Sequence, residues 1–117
     1  MAMTLREFRS ALEEYRRAAD VESERRKDSY LTLDRLVELY QSMDDDGRRM
    51  AEDVFCEWLL SDDDNLRFDA EALICELRIV RARSVLQQLS QKLVTSRAIS
   101  APFELKKVRN ILEALGS

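Results

Sequence analysis

The residues able to do chemistry are few, and the most versatile type is missing: the 117-residue chain contains no histidine. Without it the commonest general base, the Ser-His-Asp and Cys-His arrangements and most zinc sites are all excluded. Two glycines, Gly47 and Gly116, are too few for a phosphate-cradling loop. Carboxylates remain, concentrated in two triplets, Asp44-Asp45-Asp46 and Asp62-Asp63-Asp64. Neither fits a calcium loop. After Asp44 a ligand position falls on Arg48 and no Glu closes the loop; after Asp62 the central glycine is absent and the closing position is Leu73. A helix of about 20 Å separates the triplets, too far for one shared metal. Their expected role is to cap the following helices and complement the positive helix ends. An acidic contact surface is compatible with that role, and neither metal nor cofactor is expected.

The remaining candidates read as structural. Cys56 and Cys75 lie inside helical apolar patterns with no base near them in sequence. They are expected to be reduced, buried thiols, with no disulfide and no nucleophile. Trp58 falls on a broad apolar arc and is expected in the core. The basic residues Arg78, Arg81, Arg83, Lys92, Arg97, Lys106, Lys107 and Arg109 have only Phe103 interleaved among them, in a chain of net charge −4. A solvated face explains them better than nucleic acid does.

The charge is unevenly spread. Residues 1–30 balance seven acids with seven bases, residues 31–77 carry fourteen acids against four bases, and residues 78–117 carry two against eight. An acidic middle followed by a basic end makes a polarised field that steers charged partners.

Six helical segments must position these groups, and the scarcity of glycine and proline argues against the many turns of a β-rich fold. Segment one opens with Thr4 and Glu7 in capping-box spacing and carries Leu5, Phe8, Leu12, Tyr15 and Ala19 on one stripe. Residues 20–28 are almost all charged and either extend that helix or form a linker. Segment two, about 29–43, turns Leu33, Leu36, Val37, Tyr40 and Met43 inward, and Asp44 to Gly47 stops it. Segment three, about 48–60, is central, with Met50, Ala51, Val54, Phe55, Trp58 and Leu59. Segment four buries Leu66, Ala70, Leu73, Ile74 and Leu77, and segment five uses Ala82, Val85, Leu86, Leu89 and Leu93. Segment six starts after Ser100 with Pro102 in its first turn and buries Leu105, Val108, Ile111, Leu112 and Leu115. No apolar run approaches a membrane span, and MAMTLREFRS lacks the apolar stretch of a signal peptide. A single soluble, cytoplasmic domain over 1–117 is expected.

The second, fourth and sixth segments share a register: Leu33, Ala70 and Leu105 correspond, as do Leu36, Leu73 and Val108, at a spacing of about 36 residues. The stretch from Trp58-Leu59-Leu60 through Asp62-Asp63-Asp64 to Leu66-Arg67 and Ala70, continuing to Leu73 and Leu77, resembles a HEAT repeat. Ala82, Val85, Leu86, Leu89 and Leu93 resemble the first helix of a next unit. The usual proline of the first helix is missing. The resemblance implies an all-α solenoid of three stacked antiparallel hairpins, with Arg67 and an aspartate among Asp62 to Asp64 linking adjacent units.

The functional expectation is a non-catalytic module that binds a basic protein through Glu38, Asp44, Asp45, Asp46, Glu52, Asp53, Glu57, Asp62, Asp63 and Asp64. In size, charge and repeat type the chain resembles small bacterial immunity proteins, which implies inhibition of a basic toxin or nuclease. A general adaptor or assembly protein is the alternative, followed by a nucleic-acid-associated regulator using the basic C-terminal helices. A homodimer stays open.

Overall fold

The computed structural model describes residues 3–116 and places six α-helices there, with no strand among the described residues. They are α1 (Leu5–Arg26), α2 (Leu31–Ser42), α3 (Asp45–Leu59), α4 (Asp64–Leu77), α5 (Arg83–Val94) and α6 (Ala101–Ala114). A single 3-10 turn, Val80–Ala82, leads into α5. The chain forms two compact units, residues 1–54 and 55–117, and α3 runs from the first into the second. No helix of the described residues is long and apolar enough to cross a membrane.

In the first unit α1 packs against α2. The Thr4–Glu7 capping box is formed: Glu7 N–H donates to Thr4 Oγ1 at 3.1 Å and Thr4 N–H to Glu7 Oε1 at 3.4 Å. The charged stretch after Asp20 continues the helix to Arg26, and Lys27 ends it in the left-handed conformation, φ 55°. Of the expected stripe of α1, Leu12 and Ala19 are buried, Phe8 is half-buried, and Leu5 and Tyr15 are exposed, while Arg16 takes the buried place beside Leu12 and Ala19. Arg16 earns its place by pairing with Asp20 at 3.5 Å, and Asp20 in turn accepts the Thr32 hydroxyl at 2.5 Å. Buried polar groups need such partners.

The Asp44–Gly47 stretch starts α3 as well as ending α2. Asp44 Oδ1 accepts the Gly47 N–H at 2.8 Å, the capping role expected of an acid at this place. Gly47 therefore lies in the first turn of α3 instead of in a loop.

In the second unit α5 packs on α6, and α4 packs on α6 as well. Phe55, Leu59, Leu73, Ile74, Leu86, Leu89 and Val108 are the large apolar side chains closed to solvent here. Each contributes roughly 1.5–3 kcal/mol of burial. Trp58 is 3% exposed and its ring lies 5.5 Å from that of Phe55. Asp63 caps α4, accepting from the N–H groups of Asn65 at 2.9 Å and Leu66 at 3.4 Å. Arg78 ends that helix with φ 53°. No disulfide joins the cysteines, and Cys75 is exposed and Cys56 only half-buried, which corrects the expectation that both are buried. Position 75 lies beyond the Ala70–Leu73–Ile74 line, on the outer side of α4.

Candidate functional site

The ten expected contact residues fall into both units. In residues 1–54, Glu38, Asp44, Asp45 and Asp46 are exposed, while Glu52 and Asp53 are half-buried. Glu52 is engaged: its Oε2 accepts the Tyr40 hydroxyl at 2.6 Å, and Tyr40 also carries the Arg48 guanidinium 5.3 Å above its ring. These groups surround a polar hollow of about 320 Å³ lined by Tyr40, Asp45, Arg48, Arg49 and Glu52. In residues 55–117, Glu57, Asp62, Asp63 and Asp64 are exposed. Asp62 meets Lys92 at 3.5 Å and Asp64 meets Arg67 at 2.6 Å across a hollow of about 400 Å³, which Leu89, Leu93 and Ser96 also line.

Two carboxylates outside the expected acidic set, Glu71 and Glu104, meet beside Arg67 in the second unit. Glu104 and Glu71 are both buried, on α6 and α4. Arg67 grips Glu104 with two bonds, Nε to Oε2 at 2.7 Å and a terminal nitrogen to Oε1 at 2.9 Å. Nη1 donates to Ser61 O at 3.0 Å, and the nitrogen bonded to Glu104 Oε1 also donates to Asp64 Oδ1 at 2.6 Å. Such fork-on-carboxylate bonding is strong and geometrically specific. It raises the affinity of Arg67 for its proton, against the opposing effect of burial. Burial alone would lift Glu104, yet the Arg67 bonds and a contact with Glu71 outweigh it and hold Glu104 below the usual carboxylate range.

Glu71 is in the opposite situation. Its side chain is fully closed to solvent, and as a carboxylate neither oxygen has a hydrogen-bond donor. Lys107 Nζ approaches only to 3.6 Å. Burial first, and the neighbouring Glu104 second, push its pKa up to about 8. With a proton Glu71 becomes a donor toward Glu104, which resolves its missing bond. Two like charges at close quarters divide in this way, one ionised and one protonated.

A signal for Glu104 was present. Ala101, Glu104, Val108, Ile111 and Leu115 are all buried, at alternating spacings of three and four, so a charged residue occupies a core position of the stripe. Leu105, expected in the core, is half-buried, one position round from Glu104. Glu71 sits four residues after Arg67, on the same side of α4, where an i,i+4 pair would meet.

No family model, curated protein or solved structure matches the chain. The chemistry of the site therefore rests on its geometry. Among the described residues no cluster of His, Cys, Asp and Glu suits a metal ion. The Glu71–Glu104 pair has the proton-sharing character of an acid–base dyad, but Glu71 is sealed and both oxygens of Glu104 are held by Arg67. It locks α4 to α6. What faces solvent is the set of exposed aspartates.

Proposed function

We propose that the chain is a non-catalytic protein-binding module whose acidic surface recognises a basic protein. The observation that carries this is the exposure of Glu38, Asp44, Asp45, Asp46, Glu57, Asp62, Asp63 and Asp64. Part of their charge is engaged within the chain, Asp44 and Asp63 in capping, Asp64 on Arg67 and Asp62 with Lys92, yet the carboxylates remain open to solvent. Exposed carboxylates are cheaply hydrated and gain from a cationic partner chiefly through faster encounter and exclusion of wrong partners. A basic toxin or nuclease, whose own surface must attract phosphate, is the complementary class, so we assign the chain an immunity- or inhibitor-like role in the cytoplasm. The finer architecture in this proposal is a HEAT-like stack of hairpins. The α1–α2 and α5–α6 packings, and an Arg67–Glu104 bond spanning 37 residues, are what that repeat length would give.

The test is affinity capture from the source-cell lysate followed by mass spectrometry, comparing the native chain with an Asp45→Lys, Asp46→Lys, Asp62→Lys variant. None of the three is a capping acceptor among the described hydrogen bonds, and lysine in the first turn of α3 opposes the helix dipole by about 0.3–1 kcal/mol per charge, so circular dichroism melting checks that the variant folds. A basic protein captured by the native chain and lost from the variant supports the proposal. A captured set unchanged by the variant contradicts it.

A further inference from the structure

We propose that the cleft walled by Phe68 and Phe103 binds a nucleotide unit, with the base against the phenyl rings and the phosphate on Lys106 and Lys107. This goes beyond the acidic-surface reading, and none of the acidic contact residues lines the cleft.

The cleft measures about 210 Å³ and is lined by Phe68, Ser100, Phe103, Glu104 and Lys107. Pockets for drug-sized ligands start at about 300 Å³, so this one suits a single planar base and no larger ligand. Its two phenyl rings are kept partly in water: Phe103 is 77% exposed and Phe68 36%. Exposed aromatics rimming a concave site mark a binding surface more often than isolated apolar residues do. Any base presents a π-face to such rings, which makes stacking tolerant of base identity.

The charge beside the rings is positive. Lys107 Nζ lies 5.4 Å from the centroid of Phe68, and Lys106 and Lys107 follow Phe103 at three and four residues, on the same flank of α6. The groups facing Lys107 do not cancel it. Glu104 is neutralised by its paired bonds to Arg67, and Glu71, 3.6 Å from Nζ, holds its proton at neutral pH. The first-turn amides of α6 play no part: the Phe103 and Glu104 N–H groups both donate to Ser100 O, at 3.1 and 3.0 Å. Phosphate therefore falls to the lysines.

The probe is a dye-labelled single strand of about ten DNA nucleotides, within the usual span of strand-binding sites. Anisotropy is read with the full chain, with AMP and the matching duplex as competitors. Strand binding that weakens with salt is expected, with Phe103→Ala reducing affinity about 5- to 150-fold and Phe103→Trp retaining it. Lys106→Gln should lower the salt slope by about 0.7. Displacement of the strand by AMP assigns the site to free nucleotides; resistance to AMP together with preference over duplex assigns it to strands. Phe103 and Lys106 are exposed, so both variants should fold, and circular dichroism melting checks this; if Phe103→Ala does not fold, the Lys106→Gln slope decides. No strand or AMP binding at about 50 mM salt, unchanged affinity in Phe103→Ala, or equal displacement by a Glu-Trp-Glu peptide would overturn the proposal.

Discussion

Glu71 should make the second unit lose stability as pH rises through the neutral range. The folded chain holds the Glu71 proton up to about pH 8, whereas an unfolded glutamate releases it near 4.5. Between those values the folded state binds more protons, so stability falls with increasing pH and levels off above about 8. Each unit of pKa difference is worth about 1.4 kcal/mol, and complete burial leaves little solvent screening, so the loss is about 3–5 kcal/mol across the window. Glu104 acts oppositely: its lowered pKa contributes stability above the ordinary carboxylate range and loses it as the solution becomes more acidic. The chain has no histidine to titrate within the window, and the Glu71→Gln comparison isolates the glutamate from any other group that does. Urea unfolding at pH values from 5 to 9 is followed by the fluorescence of Trp58, the only tryptophan, buried in the same unit. A loss of 3 kcal/mol moves the midpoint by about 1–3 M urea. Glu71→Gln keeps the shape, supplies an amide donor toward Glu104 and cannot ionise, so its midpoint should be flat over the window and higher than that of the native chain at pH 9. A native midpoint that holds steady or rises from pH 5 to 8 refutes the reasoning, as does a Gln variant that still falls.

Three other variants probe the same network and the helix ends by urea unfolding. Arg67→Met removes the cation from buried Glu104 and should cost about 3–5 kcal/mol; a change under about 1 kcal/mol contradicts the locking role. Asp63→Ala removes the α4 cap and should cost about 1 kcal/mol, whereas Asp62→Ala should be close to neutral. Lys27→Gly relieves the left-handed conformation that ends α1 and should gain about 0.5–1 kcal/mol, and a loss would show that Lys27 makes a needed contact.

Where helical periodicity is strong the sequence located the elements well. Of the arc Met50, Ala51, Val54, Phe55, Trp58 and Leu59, all are buried except Met50, which is half-buried. Capping chemistry was equally local: the Thr4–Glu7 box was readable from spacing and the capping role of both aspartate triplets from their place, while the structure singles out Asp44 and Asp63 as the acceptors. What escaped was non-local. Hydrophobicity ranks Leu105 above Glu104 for a core place, but the bond from Arg67, 37 residues earlier, makes Glu104 the inward residue. The same applies to Arg16, whose burial depends on Asp20, and to Tyr15, displaced to the rim where its hydroxyl donates to Arg35 O at 3.4 Å. Phe103 was noted as a lone aromatic among basic residues; that Phe68 shares its cleft follows only from the packing of α4 on α6.

The acidic-surface proposal is tested most directly by the association rate between the chain and its captured partner, measured by stopped flow over a range of ionic strength. The prediction is a rate that falls steeply as salt shortens the screening length from about 30 Å at 0.01 M to about 8 Å at 0.15 M, and a lower, flatter curve for the Asp45→Lys, Asp46→Lys, Asp62→Lys variant. An association rate insensitive to salt and identical in the variant contradicts it.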